Sequence, residues 1–490
     1  MVPQPRVQVV KQHLITPSEP TPIHQKRVKL SDWDVVMFKS YTPLLLFYPN
    51  KDNTPNFMDT PTLKSALAKV LVSFYPLAGR LLDIGNGRDV IECTDTGVLF
   101  EEAVYNDRLE RFRAKGYLPT QIDYHHMFPV HFYSSPDDPL LAIRLIRFTD
   151  GGVALAIMML HKIADTYSTS LFLDCWAKTA RGVDYTKPSF KRDLVKCPDN
   201  TVIGPESLEH YRQEHRTTKD PLQMQILPSR RNLETTTHNR SRSLLDTHIK
   251  LQPTNIVKPP PLKSVLLEFY SDGLQACKKD AHTPEMIQAK QWLSTKDALF
   301  AMLLRALARS RHVDDDEEIK WVVSVNGRSR MKNSKEMNFY FGNWMMQVVT
   351  RTLGITKNSL EKTSLVDTAC NFRQMMANLK ASVFHGLSQL YTTHEDMTVH
   401  YLSYQPNTPT HHTVSDVSML PFWRLDFGFG GPDRTRGYIT FGGNGCLVLF
   451  GRSENTKGPI YDIQLQMDEQ SMRKFIEDPD IVKYTHAVIY

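Results

Sequence analysis

The chain has 490 residues, which is more than one ordinary hydrophobic core holds and therefore predicts two domains. Hydrophobic residues make up 41% of it and charged residues 23%, a balance that argues against a disordered or fibrous protein. The formal net charge of +6 arises from 59 basic and 53 acidic residues, so it is too small to predict a nucleic-acid-binding surface, although it suits an anionic ligand.

The cysteines and the apolar runs restrict the setting of the protein. Its six cysteines lie far apart and form no C-x-x-C pair, which argues against a metal cluster and a disulfide framework and predicts a reduced, cytoplasmic protein. No apolar run reaches the ~18 residues that a membrane span needs. The N-terminal residues also lack the apolar core of a secretion signal, so we expect no membrane segment.

The first half of the chain combines helical and strand patterns. Residues 65–75 have helical apolar spacing and stop at Pro76, after which a strand is expected. Glycines and acids between 85 and 97 interrupt short apolar runs, a pattern typical of an antiparallel meander. Residues 153–160 are apolar throughout, which predicts a strand covered on both faces, and an amphipathic helix follows from Asp165.

A change of composition marks the middle of the chain. Residues 184–262 are rich in proline and scattered charge, which predicts a solvated crossover between domains. The second half restarts with a capping box at 294–297 ahead of a long apolar helix, and a strand is expected at 321–325. We therefore predict an N-terminal domain at 1–195, a crossover linker at 196–262 and a C-terminal domain at 263–490.

His161 closes the apolar run of the segment MMLHKIAD, at the junction between the predicted strand and the helix. Such junctions place side chains in clefts, where loops meet a rigid scaffold. A histidine there is either a hydrogen-bonded core residue or a base that takes part in chemistry, and its spacing from Asp165 does not decide between them.

A second motif, DFGFGGP, occupies residues 426–432. Three glycines and a proline among seven residues predict a tight, nonrepetitive loop that one acid and two aromatic residues anchor. Taken alone, the same pattern is equally typical of a turn held by aromatic packing.

Together and in this order, MMLHKIAD and LDFGFGGP resemble the BAHD acyltransferases, acyl-CoA-dependent enzymes of plant and fungal specialised metabolism. FYPLAGRL at 74–81, STKDAL at 294–299, VNGRSRM at 325–331 and FYFGN at 339–343 extend the resemblance over nearly the whole chain. It implies an α/β fold of two chloramphenicol-acetyltransferase-like domains, with a solvent channel at their interface and His161 at its midpoint. It also implies no metal and no bound cofactor, with acyl-CoA as co-substrate.

The resemblance gives His161 the role of general base, which takes a proton from the acceptor as that atom attacks the thioester. Asp165 is then structural: it points away from the channel and pairs with an arginine. Asp426 resembles the distal acid of the family, and its expected partner is Arg328 or Arg330. That pair would hold the loop that contains Gly428 and Gly430.

The sequence departs from the family pattern at several positions. Thr166 stands where a glycine is common, and Phe429 where the second motif usually has tryptophan. Members that transfer hydroxycinnamoyl groups often have Thr-Ser-Trp before that motif, whereas this chain has SDV at 415–417. Ser415, Trp423 and Phe429 are the candidates for the acceptor pocket, with Trp423 also interpretable as a packed aromatic, and the oxyanion donor stays unassigned.

These features predict a monomeric O-acyltransferase that acts on a small-molecule alcohol, with no nucleic acid and no membrane as partner. The acyl group is left open, because HKIAD and LLLFYPN resemble the acetylating branch, whereas VNGRSRM with FYFGN resembles the hydroxycinnamoyl branch. N-acylation of an amine uses the same base, and a ligand-binding member without turnover and a condensation domain acting on carrier-bound thioesters are further alternatives. Lys296 and Arg330 are the two candidates for contacts with the CoA phosphates.

Overall fold

The computed structural model describes residues 7–118, 124–197, 262–392, 410–437, 444–452, 458 and 460–490. The predicted crossover linker falls outside the described residues from 198 to 261. Among the helices of the described ranges, none combines the length and apolar character that a membrane span requires.

Strands form three sheets. In chain order they are β1 (Val7–Ile15), β2 (Arg27–Lys29), β3 (Tyr41–Tyr48), β4 (Arg80–Gly85), β5 (Arg88–Glu92), β6 (Val98–Tyr105), β7 (Leu141–Phe148), β8 (Val153–Leu160), β9 (Leu262–Phe269), β10 (Lys320–Asn326), β11 (Met345–Val349), β12 (His411–Asp416), β13 (Arg434–Gly437), β14 (Cys446–Gly451), β15 (Tyr461–Asp468) and β16 (Ala487–Ile489). The first sheet has the order β1-β6-β7-β8-β3-β13, and the second has the order β11-β10-β12-β14-β15-β9-β16. A small third sheet has the order β2-β5-β4.

Helices cover these sheets. They are α1 (Asp32–Val35), α2 (Thr60–Ser73), α3 (Leu109–Arg113), α4 (Tyr124–Met127), α5 (Thr166–Ala180), α6 (Ser271–Asp280), α7 (Pro284–Gln288), α8 (Thr295–Ser310), α9 (Ser334–Met337), α10 (Lys357–Lys362), α11 (Leu365–Asn378), α12 (Ala381–Thr392), α13 (Glu469–Ile476) and α14 (Pro479–Tyr484). Single 3-10 turns lie at Ile23–Gln25, Tyr75–Ala78, Arg192–Val195, Arg328–Arg330, Thr350–Leu353 and Phe422–Arg424.

The first core forms around β8, and this confirms the strand that the apolar run predicted. All eight residues of β8 are buried, because β7 and β3 flank it in the sheet and side chains cover both of its faces. Helices α2 and α5 pack on each other against this sheet, and the Trp176 Nε1–H donates to the Leu63 carbonyl at 3.1 Å. The sheet therefore ends rigidly at Leu160, one residue before His161.

The second core forms around α8, which starts at the predicted capping box. The Ser294 hydroxyl accepts a hydrogen bond from the Asp297 N–H, and the Asp297 carboxylate accepts one from the Ser294 N–H. Side chains of α8 are buried from Asp297 to Ala308, where they contact the second sheet and α11. The expected strand after the acidic turn is β10.

The expected meander between residues 85 and 97 is divided between two sheets. β4 and β5 form an antiparallel hairpin in the small sheet, whereas β6 leaves it and pairs with β1 and β7 in the first sheet. Alternation of apolar and polar residues sets strand spacing but not strand partners, so the prediction of one continuous meander was wrong.

Two segments pack across the predicted domain intervals. β13 lies in the second half of the chain, yet it pairs antiparallel with β3 and forms an edge of the first sheet. Conversely, Trp33, Val35 and Met37 belong to the second core, although they precede β3. Each half therefore contributes a segment to the core or sheet of the other half. The domain intervals 1–195 and 263–490 stay a prediction.

Shortening a side chain in β8 is expected to destabilise the first core. Leu155 is 0% exposed, so Leu155→Ala removes packed atoms and leaves a cavity that costs about 2–5 kcal/mol. Val104→Ala is the matched control, because Val104 is 38% exposed on β6 and its loss should cost less than about 1 kcal/mol. Urea unfolding measures both, and equal midpoints for the two variants would contradict the central position of β8.

Candidate active site

Main-chain hydrogen bonds hold His161 from both halves of the chain. Its N–H donates to the Ser40 carbonyl at 2.8 Å, where β8 ends beside β3. Its carbonyl accepts a hydrogen bond of 2.9 Å from the Asn343 side-chain amide. Asn343 lies between α9 and β11, so His161 is anchored to both sheets.

The imidazole of His161 is half-buried. Its Nδ1 is buried, and within the described residues no group hydrogen-bonds to it. Nε2 is not among these buried, unpaired atoms, so it is the less buried of the two ring nitrogens. A neutral imidazole with one accessible nitrogen can accept or donate a single proton there.

Asp165 is an ion-pair partner and a helix cap. Its carboxylate accepts two hydrogen bonds from the Arg328 guanidinium, at 2.7 and 3.1 Å, and both side chains are buried. It also caps α5 by accepting the Ser168 N–H at 2.9 Å, and it accepts the Trp344 N–H at 3.0 Å. All of its acceptor capacity is directed at these partners, so it is not available to the imidazole.

Burial and the neighbouring donors shift the pKa of Asp165 in opposite directions. Burial alone would raise the pKa of this carboxyl group, but the Arg328 charge and hydrogen bonds, with the Trp344 and Ser168 N–H groups, lower it below its ordinary value. Arg328 is held equally firmly, because it also donates to the Gly342 carbonyl at 2.9 Å and its guanidinium lies 4.5 Å from the Tyr167 ring centroid.

The expected pairing of Asp426 with Arg328 or Arg330 is wrong. Arg328 is bound to Asp165, and Arg330 donates to the carbonyl oxygens of Met376 and Leu379 at 3.2 and 2.6 Å. Among the described residues, Asp426 instead forms an ion pair with Arg181, whose guanidinium lies 3.6 Å away and is partly exposed. A pair with this exposure contributes little to stability.

Backbone N–H groups hold the DFGFG loop instead. The Asp426 carboxylate accepts hydrogen bonds from the N–H groups of Gly428, Phe429 and Gly430 at 2.7, 2.9 and 2.8 Å. Gly428 and Gly430 have φ values of 106° and 86°, which other residues adopt at a cost. The predicted tight loop is therefore confirmed, and one carboxylate oxygen organises it.

Aromatic packing fixes the same loop to the first half of the chain. Phe427 is buried, and its ring lies edge-on to Trp176 at 4.8 Å and to Tyr48 at 6.2 Å. Phe429 is 37% exposed and contacts Phe57, with ring centroids 5.0 Å apart.

Trp423 and Phe429 line a cavity that is distinct from the surroundings of His161. This cavity has a volume of about 870 Å³, and His161 is not among its lining residues. The Arg424 guanidinium lies 4.2 Å from the Trp423 ring centroid. Besides the two candidates, the wall includes Lys51, Phe57, Arg434 and Arg452.

Ser415 lies in a polar row on the second sheet. It is in register with Ser324 of β10, which is in turn in register with Gln347 of β11. Residues in register share a sheet face, and all three are half-buried. β10 leads directly into the turn that contains Arg328, so Ser324 lies on the strand that precedes the Asp165 ion pair. The neighbouring Asp416 binds the Lys296 ammonium at 2.6 Å, which engages one candidate for the CoA phosphates.

Sequence reasoning missed a second buried network beside His161. Lys162 donates to the Val35 carbonyl at 2.6 Å and lies 3.2 Å from the Asp89 carboxylate, which Lys39 also approaches at 2.7 Å. Burial lowers the pKa of Lys162, and the Asp89 charge opposes that shift.

It also missed the roles of Asp34 and Asn343. Asn343 is the last residue of the FYFGN segment. The segment LSDWD at 30–34 has the S-x-x-D spacing of a capping box, and this capping box forms at the start of α1. The capping box could therefore have been predicted from the sequence. Its connection to His161 depends on hydrogen bonds across 309 and 182 residues of chain, which no local pattern shows.

Within the described ranges, no group of three or more His, Cys, Asp or Glu residues could hold a metal ion. Near His161, the Asp165 carboxylate and the Asn343 amide nitrogen are paired with protein groups, whereas His161 Nδ1 and Asn343 Oδ1 are buried without a hydrogen-bond partner among the described residues.

Comparisons with known proteins agree with this architecture. The family model described as "Transferase family" matches residues 5–481. Shikimate O-hydroxycinnamoyltransferase of Nicotiana tabacum is 27% identical over 502 aligned residues, covering 96% of this chain and 100% of that protein. Anthranilate N-benzoyltransferase protein 3 of Dianthus caryophyllus is 26% identical over 441 aligned residues, covering 87% and 89%.

A solved structure, that of F. sporotrichioides TRI101 complexed with coenzyme A and T-2, matches with a TM-score of 0.73. The identity is 18%, and the match covers 95% of this chain and 100% of that chain. A likeness at this identity concerns the fold, and it confirms the predicted two-domain α/β class.

Neutralising Asp165 is expected to destabilise the protein in a pH-dependent way. Asp165→Asn leaves the buried Arg328 charge uncompensated, which costs about 3–5 kcal/mol near pH 7. Because the folded pKa of Asp165 lies below the unfolded value of about 3.9, its stabilisation is present above that value and is lost as the pH falls toward the folded pKa. Urea unfolding of both proteins should give a difference that shrinks below about pH 4.

The control for this series is Asp193→Asn. Asp193 forms an exposed pair with Lys196 at 2.7 Å, so its loss should cost less than about 1 kcal/mol at any pH. A difference for Asp165→Asn that stays constant on acidification would argue against the ionised pair.

Proposed function

Because the chain belongs to the BAHD acyltransferase family, we propose that it transfers an acyl group from coenzyme A to the hydroxyl group of a small molecule, with His161 as general base. One observation carries the proposal: a half-buried imidazole, of which only Nδ1 is enclosed, stands at the end of a buried strand and is held by both halves of the chain. Catalytic groups are commonly placed in this way, at a strand end where two domains meet.

In the proposed reaction, Nε2 of neutral His161 takes the proton of the acceptor hydroxyl while its oxygen attacks the thioester carbonyl carbon. A tetrahedral intermediate forms, and the imidazole becomes imidazolium. The carbon–sulfur bond then breaks, the carbonyl is restored, and the departing thiolate takes the proton back from His161. Acyl-CoA and alcohol are consumed, ester and free CoA are produced, and the base returns to its starting state.

A single base suffices for this cycle, and Asp165 takes no part in the proton transfers. The carboxylate is bound by Arg328 and two backbone N–H groups, so it has no free acceptor for the Nδ1 position. We therefore assign Asp165, Arg328 and the loop of Asp426, Gly428 and Gly430 to structure, and the proton transfers to His161 alone.

Acyl-CoA as the donor is supported by the family and by the coenzyme A in the matched TRI101 complex. The acyl group is proposed as hydroxycinnamoyl or acetyl, in keeping with the shikimate O-hydroxycinnamoyltransferase and stemmadenine O-acetyltransferase relatives. N-acylation of an amine is the second candidate, because anthranilate N-benzoyltransferases are among the similar proteins. The same base and the same proton path serve both acceptors.

A solvent channel between the halves would carry the two substrates to His161. Of the three acceptor-pocket candidates, Ser415 is the one that we retain, because it is in register with Ser324 on β10, the strand that leads to Arg328 of the Asp165 pair. Trp423 and Phe429 line the separate cavity, so we propose no acceptor contact for them. No residue is proposed for the oxyanion.

We further propose that the protein acts as a monomer in the cytoplasm. His161, Asp165, Arg328 and Asn343 all come from one chain, so the site needs no second copy. All six cysteines are free thiols, which suits a reducing compartment.

Replacement of the base tests the proposal. His161→Ala should lower the rate of thiol release from acyl-CoA by about 10²–10⁴-fold, because the proposed cycle uses this imidazole as its single base. Acetyl-CoA and a hydroxycinnamoyl-CoA are each offered with alcohols, including shikimate, and amines, including anthranilate. Free thiol is measured by colour reaction, and mass spectrometry identifies the ester or amide.

His282→Ala is the matched control for this experiment. The His282 ring bonds to the Lys278 carbonyl and the Leu293 N–H in the second half, which is a purely structural environment. This variant should lose stability but keep its turnover per folded molecule. Thiol release by His161→Ala at the parent rate would refute histidine as base, and absence of turnover by the parent on every pair would favour a ligand-binding member.

A further inference from the structure

The orientation of His161 needs an explanation, because its ring lacks the usual partner. A catalytic base is commonly oriented by a third group, often a carboxylate bound to its second nitrogen. Within the described part of the chain, Nδ1 of His161 has no such partner, and Asp165 is occupied by Arg328. The imidazole is therefore positioned by something other than a hydrogen bond to the ring.

We propose that Asn343 and Asp34 are positioning residues for His161 and that they act through its main-chain carbonyl. The inference rests on the proposed function of His161 as base. Neither residue reaches the ring. Their effect on the reaction is to fix the peptide from which the imidazole extends.

The hydrogen bonds form a chain from Asp34 to His161. One oxygen of the Asp34 carboxylate accepts both the Asn343 N–H, at 2.7 Å, and the Asn343 side-chain amide, at 3.0 Å. The same amide nitrogen donates its other hydrogen to the His161 carbonyl at 2.9 Å. Both neighbours of the amide nitrogen are acceptors, so the opposite orientation of the amide would place oxygen against oxygen.

Asp34 is fixed in turn by its own surroundings. Its second oxygen accepts the N–H and the hydroxyl of Ser31 at 2.9 and 2.7 Å, which closes the capping box of α1. The Arg192 guanidinium lies 3.4 Å away and provides a positive charge. Asp34 and Asn343 are both 0% exposed, so water does not compete for these bonds.

The other side of the His161 peptide is fixed as well. The His161 N–H donates to Ser40, and the next residue, Lys162, donates to the Val35 carbonyl and approaches Asp89. With bonds at the N–H and the carbonyl, rotation of the backbone around His161 is blocked. These contacts set the direction of its Cα–Cβ bond, which is the bond from which the imidazole extends.

Removing the Asn343 amide frees one side of this clamp. The His161 carbonyl then loses its donor in a buried place, and the peptide can rotate to find another. A displacement of about 1 Å at a reacting group can cost on the order of 100-fold in rate. We expect Asn343→Ala to lower kcat at least about tenfold, with KM for acyl-CoA changed less than about twofold.

The experiment measures kcat and KM in the full chain for Asn343→Ala, His161→Ala and the double variant. If Asn343 acts through His161, the double variant should be no slower than His161→Ala alone. Asn444→Ala is the matched control: this asparagine is also buried, but it bonds to Arg311 and Asp468 in the second half. It should lower the unfolding temperature without lowering kcat.

The outcomes separate the two proposals. A fully active His161→Ala would overturn the proposed base. An inactive His161→Ala beside an Asn343→Ala with parental kcat would overturn the positioning role alone, as would a further loss in the double variant. Should Asn343→Ala fail to fold, Asp34→Asn decides, because it keeps the side-chain shape but removes the charge that holds the amide; a parental kcat there overturns the inference.

Discussion

The buried ion pair between Asp165 and Arg328 is the interaction on which the arrangement of the site depends. The aspartate starts α5 in the first half, and the arginine follows β10 in the second half. Two charges removed from water cost several kcal/mol unless their hydrogen bonds are complete, and here the carboxylate is satisfied by four donors. The pair tolerates no separation of the halves, and this fixes the strand end that carries His161 relative to the second sheet.

Much of this framework was predictable because it is local. An unbroken apolar run predicted β8, the capping box predicted the start of α8, and the glycine-rich segment predicted the tight loop at Asp426. The resemblance of two motifs predicted the family and the fold. The partners across the chain were not predictable: the sequence offered two arginines for Asp426, and both are engaged elsewhere. The pairing of β13 with the first sheet was not predictable either, because the sequence pattern of a four-residue strand does not indicate which sheet it joins.

The loop at Asp426 shows why a sequence motif can predict a loop without predicting the hydrogen-bond partners of its residues. Its carboxylate could be satisfied by a distant guanidinium or by nearby N–H groups. Three N–H groups within four residues are available at little entropic cost, and the glycines permit the backbone to present them. A long-range pair would need both partners brought together and desolvated. The local solution therefore prevails, and aromatic packing of Phe427 on Trp176 supplies the link to the first half.

A comparison of possible partners also applies to His161, the proposed base, whose Nδ1 has no hydrogen-bond partner among the described residues. A carboxylate on Nδ1 would orient the imidazole and also favour its charged form, which would bind the proton more tightly during the cycle. Fixing the peptide instead orients the ring without placing a negative charge against it. The negative charge of Asp34 stays two hydrogen bonds away from His161, and the neutral donors of Ser31 and the Arg192 guanidinium hold it there. In this proposal the buried acids Asp165 and Asp34 act on the scaffold around His161 rather than on its ring.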